Sequence, residues 1–498
     1  MTHHALSSDS AHQPSIKIPT YEITSQENIE IIHQQSLKIL RDLGMAFYDK
    51  QARDLLAQHG ARIDGDMVYF EPEMVEEFIS KAPSQFTQIA RNPDRSVKIG
   101  GKNTVFAPVY GPPFVYDLKK GRRPATIQDF KNFVKLAYLN RYIHHSGGTV
   151  VEPNDLPLKT RHLDMLLSHI LYSDKPFMGS VTSPENARDS IEMVRILFGD
   201  EAITDNPALL SLININSPRQ FDGGMVGALR EYAAANQATL ITPFILAGIM
   251  SPVTVAGALV QQNAEVLAGI VYAQAVKAGA PVVYGSFLSG VDMQNGALAF
   301  GSPESLISLL ASASLARKYH LPFRSGGMFA SSKITDAQAG YESITSLLTA
   351  MLGRSNFILH AAGWLENGMT TGYEKFLLDC DFLGTMHAFV NGLDVSEESL
   401  AIEVIKEILP GEHFLDSDHT LRNYRSAAYR FDLMDHNDFE EWERQGSLDA
   451  AQRASPRVDD LLDSYQAPDL DPSIQESLEA YILNRKQELE GSYSDVVF

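Results

Sequence analysis

Residues 238–260 read ATLITPFILAGIMSPVTVAGALV, the longest apolar run in the chain. A run of this length can cross a bilayer, so its reading decides between a membrane protein and a buried core. Pro243 and Pro252 fall inside it and no basic residues flank it, and both facts argue against a spanning helix. The run therefore predicts a buried strand, a turn and a helix. PVVYGSF, which closes the same region at 281–287, predicts a second strand and hence a βα repeat.

The same rhythm extends outward over 104–390. TVFAPVY, YIHHSGGTVV, PFMGSVT, LLSLININ, TLITPFIL, PVVYGSF, LPFRSGG and NFILHAA are candidate strands, and helical patterns separate them. Ser251-Pro252 and Ser302-Pro303 place Pro at a first helical position, and Thr335 with Gln338 and Thr371 with Glu374 have capping-box spacing. Eight βα units predict an α/β fold, a (β/α)8 TIM barrel. A doubly wound sheet is the alternative, but FAPVYGPPF after the first strand is not the Gly-rich turn it would carry. The expected organisation is a disordered tail over 1–20, an N-terminal helical cap over 21–100, the barrel over 101–392 and a C-terminal helical extension over 393–498. The extension is charged, and it is expected to wrap the barrel or a neighbouring subunit in a homo-oligomer.

Of the 498 residues, 41 are Lys or Arg and 62 are Asp or Glu, a formal charge of −21. That balance argues against nucleic acid and anionic membrane as partners and permits attraction of a cationic ligand. Cys380 is the only cysteine, which rules out an intrachain disulfide; its helical surroundings predict a structural thiol. MTHHALSSDSAHQPS lacks the basic start and apolar core of a signal peptide, and a cytoplasmic location is expected.

A barrel's site lies at the carboxyl ends of its strands. The residues there are Tyr110, Phe114, Ser180, Thr182, Asn214, Asn216, Tyr284, Phe287, Arg324, Ser325, His360 and Trp364. This set is rich in aromatics and poor in carboxylates, so paired-carboxylate glycoside hydrolysis is excluded. HExxH, G-x-S-x-G and Walker A motifs are missing, His144-His145 reads as structural, and no bound metal is expected. Aromatic faces bind quaternary ammonium groups through the ring quadrupole; the alternative is that they only fill the barrel top. Arg324 and His360 on adjacent strands can together hold a carboxylate, or else pair with a loop acid.

Several longer motifs carry a resemblance. SPVTVAGALVQQNAEVLAGIVYAQAVKAGAPVVYGSF, GSPE, DAQAGYES, NFILHAAGWLENG, GYEKFLLD and HTLRNYR, with IIHQQSLKILRDLG near the start, resemble the trimethylamine methyltransferase (MttB-like) superfamily. The resemblance implies a TIM barrel that moves a methyl group from a methylated amine to the cob(I)alamin of a separate corrinoid protein, giving methylcobalamin. Founding members carry pyrrolysine in the loop after strand seven. Here that loop is MFASSKITDAQAG, and the special position falls near Lys333 or Ile334. Members without pyrrolysine act on quaternary amines such as glycine betaine, proline betaine or carnitine. The chemistry agrees, because a quaternary ammonium expels a neutral amine and needs no acid. Trp364 departs from the smaller apolar residue common there. Two other readings stay open: a TIM-barrel lyase or aldolase with Lys333 as Schiff base, and a non-catalytic betaine-binding homologue.

Overall fold

The apolar run at 238–260 is a strand, Ala238–Leu246, followed by a turn and the helix Val255–Val276. That helix carries Gln261, Gln262, Asn263 and Glu265, all buried and hydrogen-bonded. Among the described residues, no helix is long and apolar enough to cross a membrane. The structure is a computed structural model that describes residues 13–292, 294, 296 and 298–491.

The central sheet is built from β1 (Val105–Phe106), β2 (Phe177–Met178), β3 (Leu209–Ile215), β4 (Ala238–Leu246), β5 (Val282–Gly285), β6 (Phe323–Gly326) and β7 (Phe357–Leu359). They pair in the order β2-β3-β4-β5-β6-β7-β1, every pair parallel. Helices Gly223–Ala234, Val255–Val276, Pro303–Lys318 and Ala337–Leu352 join β3 to β7, each returning the chain for another parallel strand. Both faces are buried. Val105, Leu212, Leu240, Val283 and Leu359 cluster on the inner face, whereas Ile213, Ile241, Tyr284 and Ile358 face the helices.

YIHHSGGTVV is not a strand, because Gly147 takes φ +92° and breaks the extended run. It still lies between β1 and β2. His144 N–H donates to the Phe106 carbonyl (3.0 Å), Ser146 N–H to that of Pro176 (2.8 Å), and Met178 N–H to that of Gly147 (2.8 Å). The helix after β4 starts three residues later than Pro252 implies, with Thr254 at its N-cap position but without a side-chain cap, while Ser302 does cap its helix with Pro303 behind it. Asp336, not Thr335, caps Ala337–Leu352, and Gly372 rather than Thr371 precedes Tyr373–Phe389.

Of the stretch expected to be disordered, 1–12 lie outside the described residues. Residues 13–20 are fixed: Ile16 is buried and its N–H donates to the Lys102 carbonyl. Helix Gln26–Lys38 packs on Val255–Val276. From the other end of the chain, Ala450–Asp463 packs on Tyr373–Phe389, and Pro472–Gly491 lies along Pro184–Phe198, where Tyr481 and Arg485 hold the Asp189 carboxylate.

Three buried histidines, His144, His145 and His169, and the half-buried His387 lie around β1 and β2. His144 and His145 each accept a backbone N–H at Nδ1, from Phe106 and from Gly147. Burial pushes both well below the usual imidazole range, and it pushes His169 and His387 down to about 4. The unfolded chain takes up these protons near pH ~6.5, so it binds more protons than the folded one below that pH. Stability is fully present above pH ~6.5 and falls as the pH drops toward 4. The urea midpoint is expected to decline between pH 6.5 and 5, above the range of ordinary carboxylates; a flat midpoint there contradicts this account.

Candidate active site

Strand alternation selects which side chains reach the site. In β6, Phe323 belongs to the helix-facing core, so Arg324 points to the inner face, where it is 1% exposed. In β5, Val283 points inward and Tyr284 outward. The Tyr284 hydroxyl donates to Asn263 Oδ1 beneath the helix layer, so it is not at the site. Phe287, beyond the end of β5, is. Asn214 shares the inner face of β3 with Leu210 and Leu212.

At the carboxyl ends of β5, β6 and β7, four aromatic rings and one imidazole form a box. Phe287 meets Phe329 edge-on (5.2 Å between centroids), Phe300 meets Trp364 edge-on (5.3 Å), and Phe329 meets Trp364 (4.8 Å). His360 stands perpendicular to Trp364 at 4.5 Å. Trp364 and Phe300 are buried, while Phe287 and Phe329 are half-buried and form the open side. Phe329 lies directly on Gly326, where a Cβ would sit 1.7 Å from its ring, so β6 must end in glycine for the box to exist. The Phe287 ring faces the Arg324 guanidinium at 5.6 Å.

Arg324 has no acid. Among the described residues, no carboxylate lies in ion-pair range of it; Nη1 donates to the Ser286 carbonyl (3.2 Å), and Nε is buried without an acceptor. Burial alone pulls the guanidinium down to about 9. Its Nη2 lies 3.1 Å from His360 Nε2. The Tyr110 N–H donates to the other ring nitrogen, Nδ1 (3.2 Å). A neutral ring that accepts at Nδ1 carries its proton on Nε2. Two donors then face each other, and an acceptor beside the pair that takes both hydrogens satisfies it. Burial and the Arg324 charge hold His360 well below the usual imidazole range, so it is neutral at pH 7. His360 also takes φ +62°, a left-handed backbone that aims the ring at Arg324.

A buried ion pair fixes the two segments that carry Phe329 and Trp364. Lys375 Nζ lies 2.6 Å from Asp379 Oδ2, which also accepts the Gly363 N–H at 2.9 Å. Lys375 donates to Ser343 Oγ (2.9 Å), whose hydroxyl reaches the carbonyls of Met328 and Phe329 at 3.3 and 3.4 Å.

Phe287, Arg324, His360 and Trp364 thus come together, with Tyr110 contributing its backbone N–H. Phe114 does not join them: it lies in the outer strand Phe114–Asp117, covered by the Arg122 guanidinium at 3.6 Å. Lys333 is exposed and donates to the Ser331 carbonyl, and Ile334 is 47% exposed, so neither enters the box. An exposed Lys333 also lacks the desolvated setting of a Schiff-base lysine. Phe300 and Phe329 escaped the sequence reading; Phe329 is the lone aromatic of the loop after β6, which was the available signal.

A sequence model described as trimethylamine methyltransferase (MTTB) matches residues 2–490. The chain belongs to that family. Within it, the chain is similar to a glycine betaine methyltransferase of Desulfitobacterium hafniense (strain Y51), 43% identical over 95% of this chain and 98% of that one. It is 28% identical to a proline betaine:corrinoid methyltransferase of Eubacterium limosum, over 92% and 96% of the two chains. A trimethylamine methyltransferase of Methanosarcina barkeri (strain Fusaro / DSM 804) is 29% identical over 92% and 93%. The crystal structure of the Methanosarcina barkeri monomethylamine methyltransferase shares the fold, with a TM-score of 0.50 over 89% of each chain at 11% identity.

Proposed function

We propose that this family member transfers a methyl group from a carboxylate-bearing quaternary amine, glycine betaine or a close analogue, to the cob(I)alamin of a partner corrinoid protein. The observation that carries the reading is the buried Arg324 facing the His360 Nε2–H beneath four aromatic rings, with no acid among the described residues paired to it. A betaine carboxylate accepts from both donors, and the aromatic faces take the onium. The 43% identity to a protein named glycine betaine methyltransferase supports the same substrate class.

The corrinoid's cobalt supplies the nucleophile. The methyl–nitrogen bond breaks, and the amine leaves neutral with the bonding electrons. No proton moves, so the box needs no acid or base, and its four aromatic rings, Phe287, Phe300, Phe329 and Trp364, supply none. This chain orients the methyl group toward the open side and excludes water through Phe300 and Trp364. A (β/α)8 barrel is our reading of the sheet. The hydrogen bonds of 144–147 to both β1 and β2 support it, with that segment as the second of eight staves.

Mixing the protein with reduced corrinoid and a panel of betaines, and following the spectrum, tests the reading. Methylcobalamin is expected with a carboxylate betaine; none with any quaternary amine overturns it, as does binding without turnover when a cognate corrinoid protein is supplied. Trp364→Ala is expected to cost about 1–2 kcal/mol in onium binding, measured by calorimetry, and an unchanged affinity would return Trp364 to core packing.

A further inference from the structure

Helix Val255–Val276 carries the run QQNAE at 261–265, in which Gln261, Gln262, Asn263 and Glu265 are all buried. Burying polar groups is unfavourable unless each is bonded, and these four divide among three parts of the fold. Gln261 donates to the Met250 carbonyl and Glu265 takes the Ser217 hydroxyl, which holds the loops after β4 and β3. Asn263 accepts from the Tyr284 hydroxyl (3.0 Å) and donates to that of Tyr319 (2.9 Å). Gln262 reaches the strand that carries the site. Its Oε1 accepts from the Ser286 hydroxyl at 3.0 Å, and its Nε2 donates to Ser312 Oγ at 2.9 Å, on helix Pro303–Lys318.

Ser286 stands where the carboxylate anchor meets the aromatic box. Its side chain turns to the helix layer, because the residues on either side of it face inward. Its N–H donates to the Arg324 carbonyl (3.1 Å), and its own carbonyl accepts from Arg324 Nη1 (3.2 Å). The next residue, Phe287, faces the same guanidinium at 5.6 Å. The preceding residue, Gly285, lies tight against β4, since a Cβ there would sit 1.7 Å from Thr242 Oγ1. One residue therefore ties the guanidinium to a wall of the box, and the Gln262 amide fixes that residue from behind the sheet.

We infer that Gln262, acting through Ser286, is a positioning residue that sets the distance between the carboxylate and onium subsites, and so selects betaines with a single carbon between the two charges. The inference rests on the proposed chemistry. An onium is held within about 6 Å of a ring centroid, and the guanidinium that takes the carboxylate stands 5.6 Å from the Phe287 centroid. The two subsites are adjacent, which suits the short span of glycine betaine. A longer betaine fits only if it folds back on itself or if the end of β5 moves away from Arg324. The chain Ser286–Gln262–Ser312 ties that strand end to two helices and opposes the movement. These bonds lie on the far side of the sheet and touch no ligand, so they act on spacing rather than on contact.

Calorimetry on the full chain tests this, with glycine betaine and its analogue that carries three carbons between nitrogen and carboxylate. The wild type is expected to prefer glycine betaine by roughly tenfold or more. Ser286→Ala removes only the hydroxyl, and Gln262→Leu removes the amide. Each is expected to cut that preference about threefold or more, and the double variant no further than the larger single effect, because the same bond is lost in all three. An unchanged preference in both single variants overturns the inference, whether affinity holds or falls equally for the two ligands. Additive effects in the double variant also overturn it. A wild type that binds both betaines alike overturns this inference alone, whereas one that binds neither overturns the proposed function as well.

Discussion

Arg324→Met is expected to abolish useful binding of carboxylate betaines while leaving the protein as stable or more stable. Among the described residues the buried guanidinium has no acid, one of its Nη groups faces a donor, and Nε has no acceptor. An unpaired buried charge is a burden on the folded state, and replacing buried charge by apolar volume is neutral or stabilising by about 1–4 kcal/mol. The ligand reverses that balance: removing one member of a buried, hydrogen-bonded charge pair costs about 2–5 kcal/mol, a loss of roughly thirtyfold or more in affinity. Choline carries the onium without the carboxylate, and its binding is expected to hold or improve, because the repelling cation is gone. Calorimetry with both ligands and a thermal melt measure all three. Equal losses on betaine and choline, or a large drop in the melting temperature, contradict the anchoring role.

This opposition of stability and function also explains which parts of the site were legible in the sequence. Arg324, His360 and Trp364 stand out because each is a costly or rare residue at the end of an apolar strand. Tyr284 and Phe287 look alike in sequence, yet the sheet sends them to opposite faces. A parallel strand buried on both sides reads as a continuous apolar run, so periodicity does not say which parity faces inward. Phe300 and Phe329 come from connecting segments, where no period exists, and Phe114 was lost to an outer strand that pairs with Thr370–Gly372. The rhythm of strand and helix was readable because apolar runs and helix starts repeat. YIHHSGGTVV also read as a strand and is not one, since that segment meets β1 and β2 through three backbone hydrogen bonds around Gly147 rather than a ladder.

The pair Lys375–Asp379 was invisible for a different reason: i, i+4 charges on a helix usually mark a solvated face, but here both are buried. Burial raises the Asp379 carboxyl, and Lys375 with the Gly363 N–H holds it back. Breaking such a pair leaves one charge uncompensated and costs about 3–5 kcal/mol. Lys375→Met is therefore expected to lower stability by that order. The double variant Lys375→Met/Asp379→Leu is expected to recover most of it, since no charge is then left alone. Function should not recover with stability. The pair carries the Gly363 N–H on one side and Ser343 on the other, so its loss frees the segments bearing Trp364 and Phe329. The recovered double variant is expected to fold normally, bind betaines several-fold more weakly and show altered tryptophan fluorescence. Wild-type affinity and fluorescence in that variant would reduce the pair to a purely structural brace.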